Sequence, residues 1–154
     1  MTSPAERLAE LGLTLPPVTA PVAAYVPAVR TGAYVYVSGQ LPVAGGKLPA
    51  TGKVGDQVTT EDAAGMARTC ALNALAAAAS VAGGLGGIRR IVKVTGFVAS
   101  APGFTGQPQV INGASELLIE VFGEDGKHAR SAIGVAELPL DAPVEVELIA
   151  EVRD

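Results

Sequence analysis

Cysteine, histidine and aromatic residues are scarce in this 154-residue chain, which has one cysteine, one histidine, no tryptophan and 4% aromatics. The lone Cys70 excludes an internal disulfide and suits a reducing compartment, so the cytoplasm is the expected location. One histidine and one cysteine cannot make an ordinary zinc set, and no carboxylate cluster is spaced for magnesium, so no metal is expected. Basic charge is also in deficit, with 11 Lys+Arg against 15 Asp+Glu and a formal net charge of -4. Together with the missing aromatics this argues against nucleic acid as a partner. Glu6, Arg7 and Glu10 interrupt the first apolar letters, so no secretion signal is expected. Residues 69–88 lack charge over a bilayer-spanning length, yet they are mostly alanine and glycine, include Asn73 and Ser80, and break at Gly83, Gly84, Gly86 and Gly87. Such a run predicts a buried helix followed by a loop, not a membrane span.

A chain of this length is read as one domain, 1–154, with residues 1–20 as an N-terminal extension carrying a short helix. Ser3, Pro4 and Glu6 mark that helix start, and Gly12 its stop. Pro16, Pro17 and Pro21 lead into a strand over 23–30; Thr31-Gly32 turns the chain into a second strand from Tyr34, which runs into Ser38-Gly39-Gln40. Residues 43–56 read as an exposed loop. Thr59 and Asp62 then open the main packing helix, in which Met66, Cys70, Ala74, Leu75 and Ala78 recur at helical spacing. A strand over 88–98, a glycine- and proline-rich loop, and a second amphipathic helix with Val110, Leu117, Leu118 and Val121 follow. Residues 129–137 form the next predicted strand, 138–143 a turn, and 144–152 a strand alternating with period two, with Val144, Val146 and Leu148 on one side and Glu145 and Glu147 on the other. The order predicts an α+β fold, two main helices on one face of a mixed sheet. The other face is too apolar for open solvent and predicts an oligomer.

Arg130, among small and apolar residues, needs an anionic partner. Glu137 or Glu145 could supply it as a salt bridge, or a ligand carboxylate could. Gly83 to Gly87 run from helix into strand, so they do not form a phosphate cradle. Cys70 reads as a small core residue, and His128 as a surface or structural one.

The stretches ARSAIGVAELP at 129–139 and VEVE at 144–147 resemble the C-terminal signature of the RidA/YjgF family of reactive intermediate deaminases, once called L-PSP endoribonucleases. YVYVSGQLP at 34–42 resembles the family's strand ending in Ser-Gly-Gln, Ile111-Asn112 its helix opening, and Tyr25 falls where members place an active-site tyrosine. The resemblance implies a chorismate-mutase-like fold, a homotrimer with a central barrel, and clefts between subunits. It implies hydrolysis of 2-enamino or 2-imino acids, such as 2-aminoacrylate, to 2-keto acids and ammonia. Arg130 would clamp the substrate carboxylate and Glu145 would position or activate water. Tyr25, Ser38, Gly39 and Asn112 would shape the cleft, with the backbone at Ala132 touching the imine or the water. No cofactor is implied, because a protonated imine is already electrophilic. The chain departs from the pattern at Ala132, a cysteine in many deaminating members, and at Gly134, a glutamate in some. Its extra length suggests a long-form subgroup. A module of the same fold that only binds small carboxylates is the alternative, and ribonuclease activity is disfavoured by charge and composition.

Overall fold

The computed structural model describes residues 2–21 and 23–154. Its elements are α1 (Pro4–Glu10), β1 (Ala28–Thr31), β2 (Tyr34–Gln40), α2 (Thr60–Ala82), β3 (Ile88–Ala99), α3 (Gln107–Phe122), β4 (Ala129–Val135) and β5 (Val144–Val152). This is the predicted order, and the fold is α+β. Helix α1 closes on a complete capping box: Glu6 N–H donates to Ser3 Oγ at 3.2 Å, and Ser3 N–H to Glu6 Oε2 at 2.7 Å. Thr59 Oγ1 caps α2 by accepting from Asp62 N–H at 3.1 Å, and Gly83 ends it at φ 80, a conformation that favours glycine.

Alanines 63, 67, 71, 74 and 78 of α2 are buried, and their small side chains let the layers approach closely. At Gly113 of α3 an added Cβ would meet the Ala64 carbonyl of α2, and at Gly96 of β3 it would meet Ile111 of α3. Glycine at these two points therefore sets how near α3 comes to α2 and to the sheet.

The sheet order is β1-β2-β5-β3-β4. Only β3 and β4 are parallel, joined through α3, and the other neighbours are antiparallel. So the last two strands do not pair as a hairpin; β5 inserts between β2 and β3, and β4 becomes an edge. Two boundaries differ from expectation. Strand β1 starts at Ala28, not at residue 23, because Pro27 donates no N–H and the chain bends ahead of it, with Tyr25 N–H bonded to the Ala23 carbonyl at 2.9 Å. Strand β4 stops at Val135, not at 137: β3 ends at Ala99, and the Ser100 N–H to Val135 carbonyl bond at 3.0 Å closes the pairing.

Val35, Val37, Val94, Val98, Val144, Val146 and Leu148 face the helices and are buried. Val29, Tyr34, Tyr36 and Ile133 emerge on the opposite face, 43–50% exposed. Among the described residues nothing covers that face. Among the described residues no helix is long and apolar enough to cross a membrane.

Candidate functional site

Arg130 lies opposite Val94 in the parallel β3–β4 register, so its side chain projects toward the helices. There it meets the start of α3. Nη1 donates to Asn112 Oδ1 at 2.8 Å and to Ser115 Oγ at 3.2 Å, and Nη2 to the Pro108 carbonyl at 3.4 Å. Asn112 and Ser115 are one turn apart on α3 and so present their oxygens together. Neither carboxylate considered from the sequence pairs with this arginine. Glu137 binds Lys53 at 3.1 Å, and Glu145 lies on the other face of the sheet. Among the described ion pairs Arg130 appears in none, so its fork is fixed by neutral oxygens while its charge stays uncompensated. That arrangement suits a ligand carboxylate.

His128 stands beside it, half-buried, with Nδ1 2.6 Å from the Gly126 carbonyl and Nε2 2.9 Å from Ser115 Oγ. Burial lowers the imidazole pKa and the nearby Arg130 charge adds to this, while the Gly126 hydrogen bond opposes it. Neither His128 nor Ser115 was singled out as a site residue from sequence. A lone serine on a helix carries no signal, and the contact between them depends on how β4 packs against α3.

Ala132 lies opposite Gly96 and packs against the core from the same side as Arg130. At Gly134 an added Cβ would come within 2.9 Å of Gln107 Nε2 and 3.0 Å of Ser100 Oγ. Gln107 donates to that hydroxyl at 3.2 Å and to the Phe104 carbonyl at 2.8 Å. The room a longer side chain would need at 134 is therefore already occupied.

Glu145 lies opposite Phe97, on the open face. Its carboxylate occupies space that a Cβ at Gly39 would fill, and the β2–β5 register shifts between Val37 and Gln40, so this glycine sits in an irregular stretch of β2. Burial raises the Glu145 pKa, and the neighbouring Glu147 charge raises it further. Ser38 does not turn its hydroxyl into the cleft; Oγ donates to the Val26 carbonyl at 2.7 Å and ties down the segment that carries Tyr25. Tyr25, Gly39, Gln40 and Leu140 line one small cleft. Leu140 and Asp141 adopt φ 59 and 58, left-handed values uncommon outside glycine, and Asp141 is held by Gly52 N–H on its carbonyl at 3.0 Å.

The residues singled out from sequence thus fall into two groups. Arg130, Asn112 and Ala132 form one on the helix side; Glu145, Gly39, Tyr25 and the Ser38 segment form the other. One chain does not bring them together. Cys70 is fully buried, its Sγ 3.8 Å from the Val144 carbonyl, and burial, with the Glu145 charge second, pushes its thiol pKa well up, as befits a core residue. Among the described residues no group of histidine, cysteine and carboxylates could hold a metal ion.

Residues 5–152 match the family described as YjgF/chorismate mutase-like, "putative endoribonuclease". Protein TCP17 of Trypanosoma cruzi is 43% identical over 153 residues, covering 97% of this chain and 94% of its own. A solved structure of a protein of unknown function from Agrobacterium tumefaciens is 49% identical with a TM-score of 0.89, covering 97% of this chain and 92% of that one. A Shewanella oneidensis structure bearing the same endoribonuclease label is 34% identical with a TM-score of 0.94, covering 97% and 99%. With its mixed five-stranded sheet and helices on one face, the chain belongs to the YjgF/chorismate mutase-like family.

Proposed function

We propose that the chain hydrolyses small 2-enamino or 2-imino acids to 2-keto acids and ammonia, in a cleft completed by a second copy. The observation that carries this reading is Arg130, a guanidinium held by Asn112, Ser115 and Pro108 and left without a carboxylate partner. A substrate carboxylate would bind its fork in bidentate fashion and so orient the adjacent C=N carbon. A water held by Glu145 would add to that carbon. The resulting carbinolamine breaks its C–N bond, releasing ammonia and leaving the C=O of the keto acid. An enamine first takes a proton on its β-carbon to become the imine. Glu145 suits proton transfer because its raised pKa brings it closer to neutrality than an ordinary carboxyl. The protonated imine supplies the electrophile, so no cofactor is required.

Arg130 and Glu145 face opposite ways in one chain, so the cleft requires Glu145, Gly39 and Tyr25 from a neighbour. The exposed stripe of Val29, Tyr34, Tyr36 and Ile133 favours such a neighbour, and the family resemblance supports reading the assembly as a homotrimer with one domain, 1–154, per subunit. Escherichia coli TdcF, 29% identical with a TM-score of 0.60, was solved with serine bound, a ligand with a carboxylate beside its amine-bearing carbon. The endoribonuclease label finds no support in a net charge of -4. The test is imine decay across a panel of amino-acid-derived imines, with Arg130→Ala as control. Accelerated decay lost in the variant supports the proposal. Carboxylate-dependent thermal stabilisation without turnover would instead favour a binding module.

A further inference from the structure

The contacts of His128 determine where the protons of its network lie. A carbonyl oxygen can only accept, so the ring nitrogen 2.6 Å from Gly126 O, Nδ1, carries a hydrogen. Burial keeps the ring neutral, with a lone pair on Nε2. Ser115 Oγ, 2.9 Å away, must then donate its proton to Nε2. Arg130 has donors only, so its Nη1–H takes a lone pair of the same oxygen at 3.2 Å. Each bond leaves one direction open for the next, from the Gly126 carbonyl to the guanidinium.

We infer that His128 is a positioning residue for Arg130, acting through the Ser115 hydroxyl, so that the aim of the guanidinium fork is set by this chain. The inference rests on the reading of Arg130 as a carboxylate clamp. Asn112 holds Nη1 as well, at 2.8 Å, and the Pro108 carbonyl holds Nη2 at a longer 3.4 Å. Ser115 adds the second acceptor on Nη1, so both hydrogens of that nitrogen have fixed directions. Ser115 itself is buried, 8% exposed, so its hydroxyl cannot exchange its protein partners for water at small cost. The ring and the clamp share the wall of a cleft of about 250 Å³ that also includes Ile119 and Lys127. The charged groups near the ring are Arg130, whose charge adds to the lowering of its pKa, Lys127 (paired with Glu124 at 2.7 Å), and Arg90 and Glu151, which line a neighbouring cleft with it.

His128 is the only histidine, so long-range ¹H–¹⁵N correlations of the whole protein report its tautomer without ambiguity. The Nδ1–H tautomer is expected in the wild type; the Nε2–H tautomer would overturn the inference. The kinetic arm compares Ser115→Ala, His128→Phe and the double variant on an imino-acid substrate and on an imine lacking the carboxylate. Each single variant should raise KM about five-fold with kcat nearly unchanged, the double variant should be no worse than either single one, and the carboxylate-free imine should be unaffected. Additive effects, or equal effects on both substrates, would overturn it. Ser115→Ala fits the helix and keeps the test standing if His128→Phe does not fold. A wild type that neither turns over imino acids nor binds pyruvate, while showing the Nδ1–H tautomer, overturns the clamp reading itself. Turnover with additive variants overturns the relay alone.

Discussion

Arg130 and Glu145 stand on opposite faces of one sheet, because their partners on β3, Val94 and Phe97, are three residues apart and an odd separation along a strand reverses the side. Val94 is fully buried under the helices, whereas Phe97 belongs to the open face.

From this geometry follows a complementation prediction. Arg130→Ala and Glu145→Gln proteins, each inactive alone, should regain activity when unfolded together and reassembled, since some clefts then combine an intact Arg130 with an intact Glu145. In a randomly mixed symmetric oligomer about one quarter of the clefts qualify. Imine-hydrolysis assays on the reassembled mixture give the yield, and the absence of any recovery would overturn a cleft shared between subunits.

Arg130→Ala should lower kcat/KM by about 2–5 kcal/mol, through loss of the carboxylate's charged partner. Arg130→Lys should recover only part of this, because an ammonium cannot hold both carboxylate oxygens in the plane of the fork. Steady-state kinetics of both variants check the order.

Glu145→Gln should abolish turnover yet raise the melting temperature at neutral pH. The folded pKa of Glu145 lies above the unfolded value, so between the two the native state binds more protons. Its contribution to stability is fully present below the unfolded pKa of about 4.5 and is lost as pH rises through the raised value. His128 acts in the opposite sense: its folded pKa is depressed, so its contribution is present above about 6.5 and is lost as pH falls. Thermal melts across pH in the wild type, Glu145→Gln and His128→Phe separate the two.

Gly39→Ala should reduce kcat at least about ten-fold while changing the melting temperature little, because the added methyl occupies the place of the Glu145 carboxylate at a half-buried strand end. Gly113→Val should do the reverse in kind, costing roughly 1–3 kcal/mol of stability by forcing α3 away from the Ala64 carbonyl. Denaturant titration and kinetics on both variants distinguish a local effect on chemistry from a global effect on packing.

Local patterns carried much of the fold. The capping box at Ser3 and Glu6, the cap at Thr59 with the stop at Gly83, and the alternation through β5 all depend on neighbours within a turn or a strand, and each is formed as its sequence suggests. The candidate residues were visible for a different reason: Arg130 and Glu145 stand in stretches that resemble a family's signature. Other site features left no such trace. Ser115 is an unmarked helix serine, His128 lies 13 positions away, and their contact requires α3 to cross behind β4. Leu140 takes left-handed backbone that its residue type does not signal.

The sequence by itself determined the α+β class and the succession of helices and strands, because these depend on periodicity and capping. Only the tertiary structure decided that β5 inserts between β2 and β3, that β4 lies at the edge, and that Arg130 points to the helices while Glu145 points away from them. Strand pairing is a long-range choice, settled by which apolar faces α2 and α3 bury together, and a shift of one residue in it would turn either side chain to the other face.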